Sequence, residues 1–290
     1  MTILITGATG KLGSKIVENV LARVSPEEVA VSVRDTSKAE GLKVLGVDVR
    51  RGDFDDPESL DEAFEGVDKL LIISTDGDNE TRIKQHANAV DAAKRSGVAF
   101  VAYTSIAQAP ESTNIMAPPH VATEKAIKES GLTYALLRNN WYIENEASTI
   151  QQVMTGAPWV TSAGDGKVGW ATQDDYAEAA AIVLTEGGHE NKIYELSGPL
   201  YSQQEFVDTL SDVLGNDVVL QDVTDEEYAA GMRQAGLTEP VVDIVVGIQQ
   251  SIRSGSLDVP DSDFEELLGR PVTPLRDAVK QVVDGLSAGK

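Results

Sequence analysis

Gly7, Gly10 and Gly13 stand at three-residue spacing between an apolar run, "TILIT" (2–6), and a stretch that puts Leu12, Ile16 and Val20 on one stripe. Glycine at such a junction permits a tight turn and lets backbone approach a ligand with no Cβ in the way. The free amides of the following helix would then face an anion, with the helix dipole behind them. A glycine triplet placed after the first strand and before the first helix points to the pyrophosphate of a dinucleotide. Arg34 follows the second strand pattern, "VAVSV" (29–33), and is itself followed by Asp35 and Lys38. An acid at that strand tip would accept from a ribose 2′-hydroxyl, whereas an arginine suits a 2′-phosphate, so NADP(H) is favoured. Asp35 lies one residue further on, where it points away or orients Arg34.

The elements that must hold these groups alternate along the first half of the chain. Strand patterns recur at 2–6, 29–33, 46–53, 69–74, 99–105 and 133–139, and helical patterns lie between them, among them 57–66, 86–97 and 120–131. The strands are continuous apolar runs, the kind buried on both faces of a parallel sheet. The reading is an α/β fold, a Rossmann-type doubly wound parallel sheet with a smaller, mostly helical C-terminal lobe. The expected division is an NADP(H)-binding domain over 1–140 and a substrate lobe over 141–290. Segments of the second half, the helix at 173–188 and the strand at 192–198, return to the sheet. Two further helices are expected at 204–215 and at 273–286, the latter capped by Thr273 with Pro274 in first position.

Composition bounds the rest. The 290 residues include no cysteine, which removes disulfides, a thiolate nucleophile and cysteine-held zinc, and no metal site is expected. A formal net charge of −23 repels phosphate backbones, so nucleic acid is a poor partner. No apolar run approaches the roughly 20 residues of a membrane helix, and the chain enters a strand directly after Met1 without a basic leader. These features suggest a cytoplasmic protein acting on a small molecule; a homodimer stays open as its oligomeric state.

With "ITGATGKLG", "VSVRDTSKAE", "HVATEKAIKESGLTYALLRNNWYIEN" and "SAGDGKVGWAT" in view, the chain resembles the NmrA-like branch of the atypical short-chain dehydrogenase/reductases. Within it the chain is most similar to the bacterial type 2 NAD(P)H:quinone oxidoreductases, over nearly its whole length. That resemblance implies bound NADPH and a quinone-sized acceptor between the lobes. It further implies that Gly7, Ala8, Thr9, Gly10, Lys11, Leu12 and Gly13 hold the pyrophosphate and Arg34 the 2′-phosphate. Ser74 and Thr75 would line the cofactor cleft, Asn139, Asn140, Trp141 and Tyr142 would border the nicotinamide, and Lys125 would reach its ribose. Two departures stand out: "TDGDNETR" (75–82) looks longer than its counterpart, and Gln173 stands where an arginine is expected.

In ordinary short-chain dehydrogenases a tyrosine one helical turn before the lysine protonates the substrate. Here Val121 occupies that position before Lys125. A quinone needs no strong acid, because the charge it gains with hydride is spread by its own conjugation. Positioning beside Lys125, Asn139 and Tyr142 would then suffice. His120 could serve as an acid, but it reads at least as readily as a helix cap or surface residue, offset by five from Lys125 and so off its face. Two readings of other kinds stay open: an NADP(H)-binding redox sensor without turnover, and a reductase of another conjugated acceptor such as an azo dye or enone.

Overall fold

A computed structural model of the chain describes residues 1–260 and 262–288. Its centre is a seven-stranded parallel sheet. The strands are β1 (Ile3–Thr6), β2 (Val29–Val33), β3 (Asp48–Arg51), β4 (Lys69–Ile72), β5 (Phe100–Ile106), β6 (Thr133–Asn139) and, after four short strands, β11 (Lys192–Leu196). Their spatial order is β11-β6-β5-β4-β1-β2-β3, with every pairing parallel. The order reverses direction beside β1, which is where a doubly wound sheet opens its ligand crevice.

Alternate side chains along each strand serve opposite layers. Ile3, Ile5, Val29 and Val31 face a core shared with α1 (Lys11–Leu21) and α7 (Gln173–Thr185). Leu4, Leu70, Ile72, Val101 and Leu136 face a second core. That layer is covered by α3 (Pro57–Ala63), α4 (Asn79–Arg95) and α5 (Ala117–Ser130), while the short α2 (Glu40–Val44) stands beside β3. Helix α4 starts seven residues earlier than the sequence pattern suggests. The Asp78 carboxylate accepts the Thr81 amide at 2.9 Å as its N-cap, so the tail of "TDGDNETR" is helix rather than loop.

The remaining elements form a third core around Ile143, Trp159, Trp170, Phe206 and Val279. Strand pairs of two or three residues stitch this part together. β7 (Trp141–Tyr142) pairs with β10 (Trp170–Ala171), β8 (Trp159–Thr161) with β13 (Leu220–Asp222), and β9 (Lys167–Val168) with β12 (Tyr201–Ser202). Helices α6 (Ala147–Val153), α8 (Gln203–Leu214), α9 (Asp225–Gln234), α10 (Glu239–Arg253) and α12 (Leu275–Ala288) surround them. The last of these begins one residue beyond the expected start. The short α11 (Phe264–Leu268) packs on α7, which covers one face of the sheet, and on β11, its edge strand. No described helix is long and apolar enough to cross a membrane, and no described group of acids and histidines is placed to hold a metal ion.

Candidate active site

The glycine turn follows β1 directly. Gly7 takes a left-handed φ of +61°, its amide donates to the Ser32 carbonyl at 3.2 Å, and its own carbonyl accepts the Gly10 amide at 2.9 Å. Gly10 is the N-cap of α1, with no side-chain cap and no acid in the first turn, so no acidic side chain competes for the helix's leading amides. At Gly13 an added Cβ would stand 2.2 Å from the Gly7 carbonyl oxygen, which is how closely helix and loop meet. Ala8 and Leu12 turn into the core, so they can offer a ligand only backbone, while Thr9 and Lys11 are exposed. Uncapped amides behind a glycine cradle fit a pyrophosphate.

One strand over, Arg34 is exposed and free. Arg50 pairs with Asp48 at 2.8 Å and Arg51 with Asp56 at 3.0 Å, whereas Arg34 has no ion-pair partner among the described residues. Asp35 is engaged elsewhere: its carboxylate accepts the Ser37 amide at 3.1 Å and the Ser37 hydroxyl at 2.6 Å. Those bonds hold its pKa below the usual carboxylate value. It therefore points away from Arg34 rather than orienting it.

The chain leaving β4 is held by three side chains that sequence reasoning missed. Thr6 Oγ1 accepts the Ile73 amide at 2.9 Å, Thr104 Oγ1 the Ser74 amide at 2.9 Å, and His86 Nε2 the Thr75 amide at 3.0 Å. Accepting at Nε2 leaves the His86 proton on Nδ1, which donates to Thr123 Oγ1 at 2.8 Å. Thr123 donates onward to the Pro119 carbonyl at 2.6 Å. Burial, helped by Arg82, pushes His86 down to about 3, so the imidazole stays neutral. Ser74 and Thr75 are half-buried at the carboxyl edge of the sheet, as a cleft lining requires.

Asn139 ends β6 at the same edge. Its Nδ2 donates to the Tyr142 hydroxyl at 2.8 Å, and its Oδ1 is buried without a partner. Tyr142 stacks edge-on against Tyr176, ring centroids 4.9 Å apart, and burial pushes its hydroxyl up to about 12. Having accepted from Asn139, the neutral hydroxyl keeps its own proton to donate. Asn140 is committed inward, to Ser197 Oγ at 2.9 Å and the Leu257 carbonyl at 3.0 Å. Trp141 and Trp170 both donate their indole N–H to Glu146 Oε1, at 2.9 and 3.1 Å.

Beneath this cluster Arg138 joins three elements. It donates twice to Glu124 of α5, at 2.8 and 2.7 Å, and once to Glu195 of β11 at 2.8 Å. Glu195 in turn accepts the Gln108 amide at 3.0 Å. This buried network fixes the strand that presents Asn139.

Two expectations change. Lys125 lies on the outer face of α5, its side chain 72% exposed and 3.8 Å from Glu129. The inward face carries His120, Thr123, Glu124 and Ile127, so the structure does not bring Lys125 to the Asn139–Tyr142 pair. Val121, one turn back, is exposed with it. His120 is buried rather than a cap, with Nδ1 at 2.9 Å from the Tyr103 hydroxyl. At Gln173 the backbone amide, at the start of α7, donates to both Glu144 oxygens, at 3.0 and 3.1 Å, and the side chain is buried.

The NmrA-like family profile matches residues 1–243. The chain belongs to the NmrA-like family. Among its curated members, Quinone oxidoreductase 2 of Escherichia coli (strain K12) is 36% identical over 97% of this chain and 98% of its own length. Solved structures also superpose along the chain. Citrobacter sp. triphenylmethane reductase, complexed with NADP(H), gives a TM-score of 0.93 at 41% identity, over 97% of this chain and all of its own. The NADPH-dependent quinone oxidoreductase of Escherichia coli, complexed with NADPH, gives 0.93 at 37% identity, over 97% of this chain and all of its own.

Proposed function

We propose that this NmrA-like protein is a cytoplasmic NADPH-dependent reductase that passes hydride directly to quinones. Bound NADPH supplies the hydride. The observation that carries the reading is the Asn139–Tyr142 pair, a neutral hydrogen-bonding group at the carboxyl edge of a sheet whose glycine turn fits a pyrophosphate. The kinship with Quinone oxidoreductase 2 supports the choice of acceptor.

The chain's own residues divide the work. The amides behind Gly7 and Gly10 hold the pyrophosphate, and Arg34 takes the 2′-phosphate that Asp35 does not contest. Ser74 and Thr75, pinned through Thr104 and His86, wall the cleft. Tyr142, polarised by Asn139, donates its hydroxyl proton in a hydrogen bond to the acceptor oxygen where negative charge grows. No group there transfers a proton outright, and a quinone needs none in the hydride step. Lys125 has no part.

Purified protein with excess NADPH and a panel of quinones should consume cofactor through many turnovers, above a control without protein. Tight NADPH binding with no consumption above that control would leave a sensor in place of an enzyme.

A further inference from the structure

Arg82 stands in the first turn of α4 and is 4% exposed. The other buried arginine, Arg138, faces two carboxylates. Arg82 has no carboxylate within ion-pair distance among the described residues, in a chain with 47 acids against 24 lysines and arginines. Its Nη2 donates to His120 Nε2 at 3.0 Å, and its Nε is buried with no acceptor at all. Nη1 makes no hydrogen bond among the described residues. His120 cannot balance the charge. Accepting from Arg82 at Nε2 leaves its proton on Nδ1, facing the Tyr103 hydroxyl, so the imidazole is neutral. The Asp76 carboxylate acts on Arg82 through space but forms no ion pair with it, so no anion is in contact with the guanidinium.

The position tells which anion is missing. Arg82 and His120 lie in the first turns of the helices that follow β4 and β5, at the carboxyl edge where Thr75 and the Asn139–Tyr142 pair also stand. One turn along α4 from Arg82, His86 holds the Thr75 amide. The pyrophosphate turn follows β1 and Arg34 follows β2, on the other side of β4, so the cofactor phosphates have their own partners. What forms at the β4–β5–β6 edge is the reduced acceptor. A quinone that takes a hydride gains two electrons and one hydrogen and becomes a hydroquinone monoanion. A proton from water then completes the hydroquinone.

We propose that Arg82 is the anion-stabilising residue of the reaction: its unbonded Nη1 takes the acceptor oxygen that becomes negative. This rests on the quinone-reductase reading. The guanidinium needs no proton transfer to act, and Nη1, neither bonded nor sealed, is the donor it offers. Where Tyr142 contributes a neutral hydrogen bond, Arg82 contributes charge.

The test uses 4-nitrophenol, a yellow phenolate when ionised, titrated against the full-length protein saturated with oxidised NADP. In the wild type the bound phenol should ionise at a pH about one unit or more below the free phenol, equivalent to tenfold tighter phenolate binding. The protein's net charge of −23 would by itself push the ionisation the other way. Arg82→Gln should abolish the shift while leaving NADP affinity intact, and Arg82→Lys should keep part of it. A wild type that binds the phenol with no downward shift overturns the proposal, and that arm needs no variant to fold. So does an Arg82→Gln protein that shifts it as far as wild type does. Quinone turnover without the shift would sink the role of Arg82 alone. A shift without turnover would sink the activity and leave Arg82 as an anion site.

Discussion

Arg34 is the residue on which cofactor choice turns, because Asp35 has been taken out of contention by Ser37. Arg34→Ala should weaken NADPH by roughly ten- to hundredfold, the worth of a charge-assisted contact, and barely change NADH. Binding isotherms for the two cofactors check this; equal losses would move the role to Lys38. Tyr142→Phe removes one hydrogen-bond donor and no charge. It should lower kcat for quinones by roughly tenfold and leave the NADPH dissociation constant alone. Lys125→Ala, by contrast, should be silent in both, since an exposed pair with Glu129 is worth at most about 1 kcal/mol. Resemblance carried to Lys125 a role that its helix face denies it. That face was not legible in the sequence, because three of its buried residues, His120, Thr123 and Glu124, are polar and make no apolar stripe.

Two glycines of the phosphate turn are predicted to fail differently. A Cβ at Gly10 would meet the Gly7 carbonyl oxygen at 3.2 Å, a tight but yielding contact, whereas one at Gly13 would meet it at 2.2 Å. Gly10→Val should therefore fold and lose NADPH, its side chain standing before the amides. Gly13→Ala should lose thermal stability as well, because backbone must move. Calorimetry on both variants separates the two outcomes. This turn was legible because its meaning is local, a strand, three glycines and a helix within a short span. The clamps on Ser74 and Thr75 were not. Thr104 and His86 reach them from 30 and 11 residues away, and nothing in a threonine or a histidine announces a partner at such a distance. The start of α4 was readable in Asp78 and Thr81, a cap signal overlooked beside Gly77.

At the scale of the molecule, two neutral, buried imidazoles set an acid limit. The unfolded chain binds a proton at His86 near pH 6.5, whereas the folded chain refuses it until about 3. Stability should be fully present above pH 6.5. It should fall by about 1.4 kcal/mol per pH unit below that for His86 alone, and His120 is shifted in the same direction. Urea midpoints at pH 7.5 and 5.5, above the range of most carboxylates, should show the loss, and His86→Gln should reduce it. The sheet itself was legible as alternation of apolar strands and helices. Which strands sit side by side was not, since β11 and β6 meet across more than fifty residues of sequence.

That late arrival of β11 has a consequence for how the protein is made. During synthesis β6 emerges with the rest of the sheet, but its outer edge has no neighbour until Leu196 has left the ribosome. Until then seven residues, "TYALLRN", offer unpaired amides and carbonyls to any passing strand, and α1 lacks the α7 that covers it. A fragment stopping at residue 140 would keep every phosphate-binding group and still be born with an open seam. We expect it to aggregate on expression, whereas a fragment carried to 200 should stay largely in solution, with sedimentation of the two lysates deciding. Aggregation of the shorter fragment would mean that the nucleotide-binding half cannot be produced alone, because its closing strand is translated more than fifty residues later.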